Sequence, residues 1–287
     1  MSGRGLVLKT LRDQRNILIG MSAGAFLITL GILALYPQVA DQFAGIELPD
    51  FYDIFLGEAP IDSPEGFLAA EFFSWMPLLF IALAVIAGTA AIASEESNGT
   101  LELLMAEPVR RRDLVLRKTL ALMLVFLVIS AVSLAAMVLA TVVVRDFELA
   151  FTRMLSATTL MLLVVWFFLG MSLLASAALP SRGSAAAVVT ALIVLAYFVN
   201  LVATLVQDLS FLQNLTPFGW ADYTGALLHS MPWLQALVFV GFFIVFVVGA
   251  VVSFERRDIG AATWPVIRRG PLKPSEVAPG GEPKRAS

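Results

Sequence analysis

Residue types that usually carry catalysis or metal binding are scarce in this sequence. It has no cysteine and one histidine, His229, so thiolate metal sites, cysteine nucleophiles and disulfides are excluded. It contains no G-x-x-x-x-G-K-[ST] loop that could bind the phosphates of ATP, and no H-E-x-x-H that could bind zinc. A single histidine shortly before Pro232 is more typical of an interfacial residue than of a ligand. We therefore expect no catalytic, cofactor-binding or metal site in this chain.

The next candidates for chemistry are polar side chains inside long apolar runs. They include six uncharged residues: Ser74, Thr89, Thr190, Tyr197, Asn200 and Thr204. Ion-coupled carriers usually place a carboxylate, a histidine or an arginine within the bilayer, because such groups are costly there and are kept for function. Mild polar groups more often form hydrogen bonds between helices, and lining a path through the membrane is the alternative role. The sequence thus offers no coupling site for an ion.

The elements that must position these groups are long apolar helices. Hydrophobic residues make up 59% of the 287 positions and charged residues 14%, against about 45–50% and 25% in soluble domains. A helix needs about 20 apolar residues to cross the hydrocarbon layer, and six stretches qualify. The predicted spans lie near 17–36, 72–94, 119–144, 155–179, 185–206 and 233–254. The expected fold is an all-α integral membrane protein with one six-span domain and two tails.

The distribution of basic residues predicts the orientation. Seventeen of the 19 lysines and arginines fall in the N-terminus, in the loop 95–118, at Arg182 and in the tail after Phe254. Basic residues concentrate in the loops that stay in the cytoplasm, so both termini are predicted to be cytoplasmic, with the protein in the plasma (inner) membrane. The proline-rich tail 260–287 has a composition that predicts disorder.

The loop after the second span reads SEESNGTLELLMAEPVRRRD from Ser94 to Asp113. Asn98 and Gly99 favour a break in the preceding helix, and Thr100 is typical of the first residue of a new one. Pro108 disfavours helical geometry at the residue before it, so the new helix is short. One face of this helix would carry Leu101, Leu104 and Met105. A short helix with exposed leucines predicts docking against a partner.

This string is similar to a signature of the type-2 ABC (ATP-binding cassette) exporter permeases. The matching positions are Glu95, Gly99, Thr100, Leu101, Glu102, Pro108 and Arg111. Three further segments resemble that family. They are an amphipathic stretch before the first span, with Val7, Leu8 and Leu11 on one face, the string SFERRDIG from Ser253 to Gly260, and LTPFGWADYTGAL from Leu215 to Leu227 before the last span.

The resemblance implies an architecture and a set of partners. An interfacial elbow helix at 1–15 would precede a six-span permease domain at 16–259, with a coupling helix between spans 2 and 3 and a re-entrant outer segment before span 6. The residues coupled to the ATPase would be Glu95, Gly99, Thr100, Leu101, Glu102, Leu104, Met105, Pro108 and Arg111. The implied partners are two copies of a separate ABC ATPase subunit holding ATP and Mg, a second permease copy or a homologue, and membrane lipid. No nucleic acid is expected.

The same resemblance implies which spans line the path. In the family, the second and fifth spans of two subunits surround it, so Tyr197, Asn200 and Thr204 are the first candidates to face it. The implied function is a permease subunit of an ATP-driven exporter.

Two alternatives remain open at this point. One is a permease whose ATPase drives maturation of, or mechanical work on, an extracytoplasmic partner, such as the copper-enzyme maturation permeases, with the acidic loop 37–71 as a binding surface. The other is a secondary carrier or a membrane scaffold without an ATPase. The sequence does not identify the transported molecule.

Overall fold

A computed structural model describes residues 15–43, 59–97 and 111–256, and the regular elements of these ranges are helical, without strands. Numbered along the chain, they are α1 (Arg15–Leu33), α2 (Tyr36–Phe43), α3 (Pro64–Leu68), a π-helical turn (Ala69–Phe73), α4 (Met76–Ser97), α5 (Arg111–Val143), α6 (Phe151–Ala178), α7 (Arg182–Leu205), a 3-10 segment (Gln207–Leu215), α8 (Pro217–Trp220), α9 (Tyr223–Leu228) and α10 (Trp233–Arg256). The predicted elbow helix, coupling helix and tail lie outside the described residues.

Six described segments are long and apolar enough to cross a membrane, which confirms the predicted six-span, all-α membrane fold. They are Leu18–Phe43, Pro64–Ile92, Arg111–Val143, Phe151–Ala178, Arg182–Leu205 and Trp233–Arg256. The sixth begins at its predicted residue, and the fourth and fifth begin within four residues of theirs. Two others begin earlier than hydropathy alone indicates.

The second and third spans begin early for local reasons. Before the second, the side chain of Ser63 accepts a hydrogen bond from the backbone of Gly66 at 3.1 Å, and Pro64 occupies the first turn; both features favour a helix start. The third begins at Arg111, eight residues before its apolar run, with Asp113 in the first turn, where a carboxylate suits the helix dipole. Arginine, leucine and lysine are good helix formers, so the helix continues beyond the hydrocarbon layer.

Helix α6 is the centre of the bundle and packs against α4, α5, α7, α9 and α10. Its buried residues lie all around its circumference, as expected for a helix enclosed by others. Glycines permit close approach. A Cβ atom on Gly88 of α4 would lie 2.6 Å from the Cβ of Ser172, and one on Gly170 would lie 2.9 Å from the Phe243 ring of α10.

Hydrogen bonds also join α4 to α6. The hydroxyl of Ser176 donates to the backbone carbonyl of Thr89 at 2.9 Å, and the backbone N–H of Ile92 donates to the Ser176 oxygen at 3.3 Å. The Thr89 hydroxyl itself bonds within α4, to the carbonyl of Val85 at 2.6 Å. Within lipid no water competes for these groups, so such bonds contribute to holding the helices together.

One end of the bundle, which we name the basic end, carries Arg111, Lys118, Arg182 and Arg256. The Nζ of buried Lys118 on α5 donates to the backbone carbonyl of Ala91 on α4. The Arg111 guanidinium donates to the carbonyls of Phe254 and Glu255, each at 3.5 Å. The last carbonyls of a helix lack intrahelical partners, so Arg111 helps to complete the end of α10.

The opposite end, which we name the acidic end, carries Glu65, Glu148, Asp208 and Asp222. The Arg153 guanidinium lies 2.5 Å from a carboxylate oxygen of Glu65 and joins α6 to α3. The Tyr36 hydroxyl donates to the backbone carbonyl of Asp62 at 2.9 Å. Its ring contacts Phe67 and Phe147 edge to face, with centroids 5.4 and 5.3 Å apart. These contacts tie the first, second and fourth spans together at this end.

Candidate functional site

Helix α7 is packed against the bundle by only a few small or branched residues. Ala185, Val189 and Ala203 are its buried positions, whereas Leu195 and Phe198 are exposed by 62% and 58%. Large apolar side chains at this level of exposure need lipid or another protein surface to cover them. The sparse packing leaves space between α7 and its antiparallel neighbour α4.

That space contains a cavity of about 500 Å³, which we name the apolar groove. Val85, Ile86 and Thr89 of α4 form one wall, and α7 forms the other from Arg182 to Phe198. Arg182 and Tyr197 are fifteen residues apart on α7, about 22 Å at 1.5 Å per residue. The groove therefore follows most of the roughly 30 Å thickness of the hydrocarbon layer, from the basic end toward the acidic end.

A second cavity of about 330 Å³, which we name the polar cavity, adjoins the groove toward the acidic end. Leu78, Ile81 and Tyr197 line both spaces. The remaining polar lining comes from several elements: Ser74, Asn200, Thr204, Asp222, Tyr223 and Thr224. Together the two spaces form a cleft that changes from apolar to polar along its length.

The three residues predicted to face a path, Tyr197, Asn200 and Thr204, all line the polar cavity. Two of them also hold the segment after α7 in place. Asn200 accepts a hydrogen bond from the Thr216 hydroxyl at 3.0 Å, and Thr204 accepts one from the Gln213 amide at 3.2 Å. These are bonds between a span and the segment after it, a structural role besides that of lining the cavity.

The segment between α7 and α10 forms part of the lining of the polar cavity. Thr216 and Asp222 cap its two short helices by accepting from the backbones of Gly219 and Gly225 at 3.1 and 2.7 Å. Only glycine fits at Gly219, because a Cβ atom there would lie 2.2 Å from the Gln213 carbonyl oxygen.

Aromatic contacts fix this segment against the spans. Trp220 stacks on Phe242 of α10, with centroids 5.7 Å apart, and Tyr223 stacks on Phe73 at 5.2 Å. Phe242 lies about two and a half turns into the last span. Burial raises the pKa of Tyr223 above its usual value of 10, so its hydroxyl is a neutral hydrogen-bonding group at physiological pH.

A match to the hydrolase pattern G-x-S-x-G, from Gly20 to Gly24, lies within the continuous helix α1. A nucleophilic serine in that pattern requires a sharp strand-to-helix turn, so this match does not indicate a hydrolase. Among the described residues no group of histidine, aspartate and glutamate is arranged to hold a metal ion.

The family model for ABC-2 family transporter proteins matches residues 6–259, nearly the whole chain. The chain belongs to the ABC-2 transporter family. A search of curated proteins finds no match. ABC-2 proteins are the membrane permease subunits of ABC transporters and normally work with a separate ATPase subunit. The family result favours the ABC permease over the secondary carrier or scaffold considered above.

Most residues predicted to couple this ABC-2 permease to its ATPase lie outside the described residues. They are Gly99, Thr100, Leu101, Glu102, Leu104, Met105 and Pro108. The backbone of Glu95 belongs to α4, and its side chain is outside the described set. Arg111 begins α5 and contacts the end of α10. The assignment of this set therefore stays a prediction.

Two residues that line the cleft of the permease were not predicted from the sequence to do so. Arg182 was used only to orient the chain, yet it lines the apolar groove, and Asp222 lines the polar cavity. A signal for Arg182 was present: it stands alone among uncharged residues, in a Ser-Arg-Gly-Ser turn that leads directly into a span. Nothing in the sequence predicts that Asp222 lines the same cavity as residues of α4.

Proposed function

We propose that this ABC-2 permease is the membrane subunit of an exporter and that the cleft between α4 and α7 is the path of its substrate. The observation that carries the proposal is the continuity of the two cavities along these helices, from the basic end to the acidic end. A mildly polar cleft on two antiparallel spans suits a substrate that crosses the membrane while remaining partly in contact with lipid.

The proposed direction of transport follows from the distribution of basic residues. Basic residues favour the cytoplasmic side, so the basic end and both termini are cytoplasmic in the plasma membrane, and the polar cavity opens outward. The substrate enters the apolar groove near Arg182 and leaves past Tyr197. The segment between α7 and α10 then acts as a re-entrant element on the outer side, supported by the contact between Trp220 and Phe242.

Power comes from ATP and Mg held in two copies of a separate ABC ATPase. The segment 98–107 forms a coupling helix that docks on this ATPase, since it connects α4 to α5. Lys118 ties α5 to α4, and Arg111 ties α5 to α10. A displacement of the coupling helix is thereby delivered to three spans, including the one that forms a wall of the groove. Such transmission needs two positions of the docked helix that nucleotide favours differently.

A second copy of the chain, or a homologue, covers the exposed side of α7. The proposal is supported by the contrast between its three buried residues and its many exposed apolar ones. Two copies over two ATPase subunits place the two clefts near a common axis, and membrane lipid covers the remaining surface.

The test is the pair of variants Leu101→Asp and Leu104→Asp, with Leu101→Met and Leu104→Met as matched controls. A carboxylate on the docking face would have to be desolvated, so the aspartate variants insert normally while less ATPase co-purifies and its hydrolysis is no longer coupled to the permease. The methionine variants keep both properties. Unchanged co-purification and coupling in the aspartate variants would overturn the assignment of the coupling helix.

A further inference from the structure

Among the residues that the structure describes, Arg182 is the one charged residue in the wall of the apolar groove. Its side chain is exposed, and among the described residues no carboxylate forms an ion pair with it. The neighbouring acidic residues along the chain, Glu148 and Asp208, belong to the acidic end of the bundle. Within the part of the chain that the structure describes, the groove therefore has a positive charge at its mouth that no ion pair neutralises.

A guanidinium in this position selects for ligand charge. Its planar donors match carboxylate and phosphate oxygens in pairs. Charge interactions are also stronger beside an apolar wall than in bulk water, because the effective dielectric constant is lower. An anion at the mouth is stabilised by this contact, whereas a neutral or zwitterionic group of the same size gains less or nothing from it.

The rest of the groove selects for hydrocarbon. Apart from Arg182 and Tyr197, the described polar residues that line it are Thr89 and Thr190. The Thr89 hydroxyl already donates to the carbonyl of Val85, so it needs no partner from a ligand. A chain of methylene groups laid along this wall would contact mainly alanine, valine, leucine, isoleucine and phenylalanine side chains over about 22 Å.

We propose that the substrate of this permease is an amphiphile with a long acyl or alkyl chain and an anionic headgroup, taken from the cytoplasmic leaflet of the membrane. Arg182 binds the headgroup, and the apolar groove holds the chain. The direction of loading rests on the function proposed above, while the binding of the amphiphile does not require it.

The far end of the cleft fits the release of such a molecule. Asp222 lines the polar cavity with an exposed carboxylate, one oxygen of which caps the backbone of Gly225. The Ser74 hydroxyl already donates to the backbone carbonyl of Ala70, so an anionic headgroup that reaches this cavity meets the hydroxyl of Thr224 and, at Asp222, a charge of its own sign. Binding is therefore stronger at the basic end than at the acidic end.

The test uses the purified full-length chain in nanodiscs of phosphatidylcholine. The probe is hexadecyl phosphate carrying a diazirine in its chain, and the labelled peptides are mapped by mass spectrometry. Unlabelled hexadecyl phosphate and hexadecylphosphocholine, which share one chain and differ in headgroup charge, are the competitors. We expect labelling of α4 and α7, with competition by the anionic compound at about tenfold lower concentration, as one charge-assisted contact implies.

Variants separate the headgroup contact from the chain contact. Arg182→Gln removes the preference between the two competitors, and Arg182→Lys retains most of it. Arg112→Gln is the matched control, since this exposed arginine lies at the same end but not in the groove wall. Thr190→Trp fills the groove from an exposed position and abolishes labelling while Arg182 is intact.

Equal competition by the two amphiphiles, labelling outside α4 and α7, or a preference that survives in Arg182→Gln would overturn the proposal. Its failure is distinguishable from failure of the proposed function. The binding experiment contains no ATPase, and the coupling experiment with the Leu101 variants does not involve Arg182.

Discussion

The hydroxyl of Thr216 donates a 3.0 Å hydrogen bond to the side-chain oxygen of Asn200 and so joins the fifth span to the segment that follows it. The same hydroxyl oxygen accepts from the backbone of Gly219 and begins α8. One buried threonine thus links the fifth span to α8, and both elements line the polar cavity. Asn200 and Thr204 of the fifth span, which are candidates for substrate contact, thus also form hydrogen bonds that hold the segment between α7 and α10 in place.

Removing this link lowers stability by a measurable amount. Asn200→Ala loses one hydrogen bond, and we expect about 1 kcal/mol of destabilisation. Thr216→Val loses the helix cap as well and costs more. Thermal unfolding in detergent measures both, and the double variant measures their coupling. Asn214→Ala, at an exposed position whose backbone alone forms a bond, is the control. Strictly additive losses in the double variant would contradict a direct bond.

The contact of the second span with the fourth depends on Gly88. Gly88→Ala places a Cβ atom 2.6 Å from that of Ser172, so the helices must separate, and we expect a loss of about 1–3 kcal/mol. Gly31→Ala is the matched control in another span, since nothing lies within 4 Å of its Cβ position. That change gains stability slightly or leaves it unchanged, because alanine is the better helix former. Similar unfolding temperatures for the two variants would show that the close approach is absent.

The ion pair of Glu65 and Arg153 joins two spans at the acidic end. The carboxylate side chain is only 14% exposed, so Glu65→Arg brings two cations together in a partly covered site, and we expect a loss of about 1 kcal/mol. The exchange Glu65→Arg with Arg153→Glu recovers part of it. Unfolding at low and high salt measures the effect, which is smaller at high salt. The exposed pair of Arg145 and Asp146 provides the control, and Arg145→Ala leaves stability unchanged. If Glu65→Arg also left stability unchanged, the ion pair would not be a contact that holds this end together.

The proposed orientation can be tested by labelling, because the natural chain has no cysteine to interfere. Gly183→Cys and Glu148→Cys place single thiols at exposed positions of the basic and acidic ends. In intact cells a membrane-impermeant maleimide labels the thiol at 148 and does not label the one at 183, which reacts only after permeabilisation. The reverse pattern would place the basic end outside and would reverse the proposed direction of loading.

The spans themselves were predictable because each is a long run without charge, and the cost of an unpaired backbone in lipid leaves helix as the outcome. The residues at which the spans begin and end were less predictable. The start of α5 at Arg111 and the π-helical turn at Ala69–Phe73 depend on local helix formation, which hydropathy does not report.

The site was predictable only in part. Tyr197, Asn200 and Thr204 line one cavity, and their predicted role in transport stays a prediction. The hydrogen bonds from Gln213 and Thr216 follow from how the segment after α7 folds back onto it, and the place of Arg182 in the groove follows from how α7 lies beside α4. The buried residues of α7 are small or branched, such as Ala185, and such residues are too common in membrane helices to indicate a particular neighbour.

The shallow seating of α7 has an energetic consequence. A helix held by Ala185, Val189 and Ala203 gives up few protein contacts when it rolls or tilts, and lipid chains replace those that it loses. In a tightly interdigitated helix such as α6, the same movement would open voids in the core. Within one copy of the chain, α7 is thus the least buried of the six described spans. If the proposed coupling acts at the basic end, we expect a small movement of this span to widen or narrow the cleft at little cost in contacts within the chain.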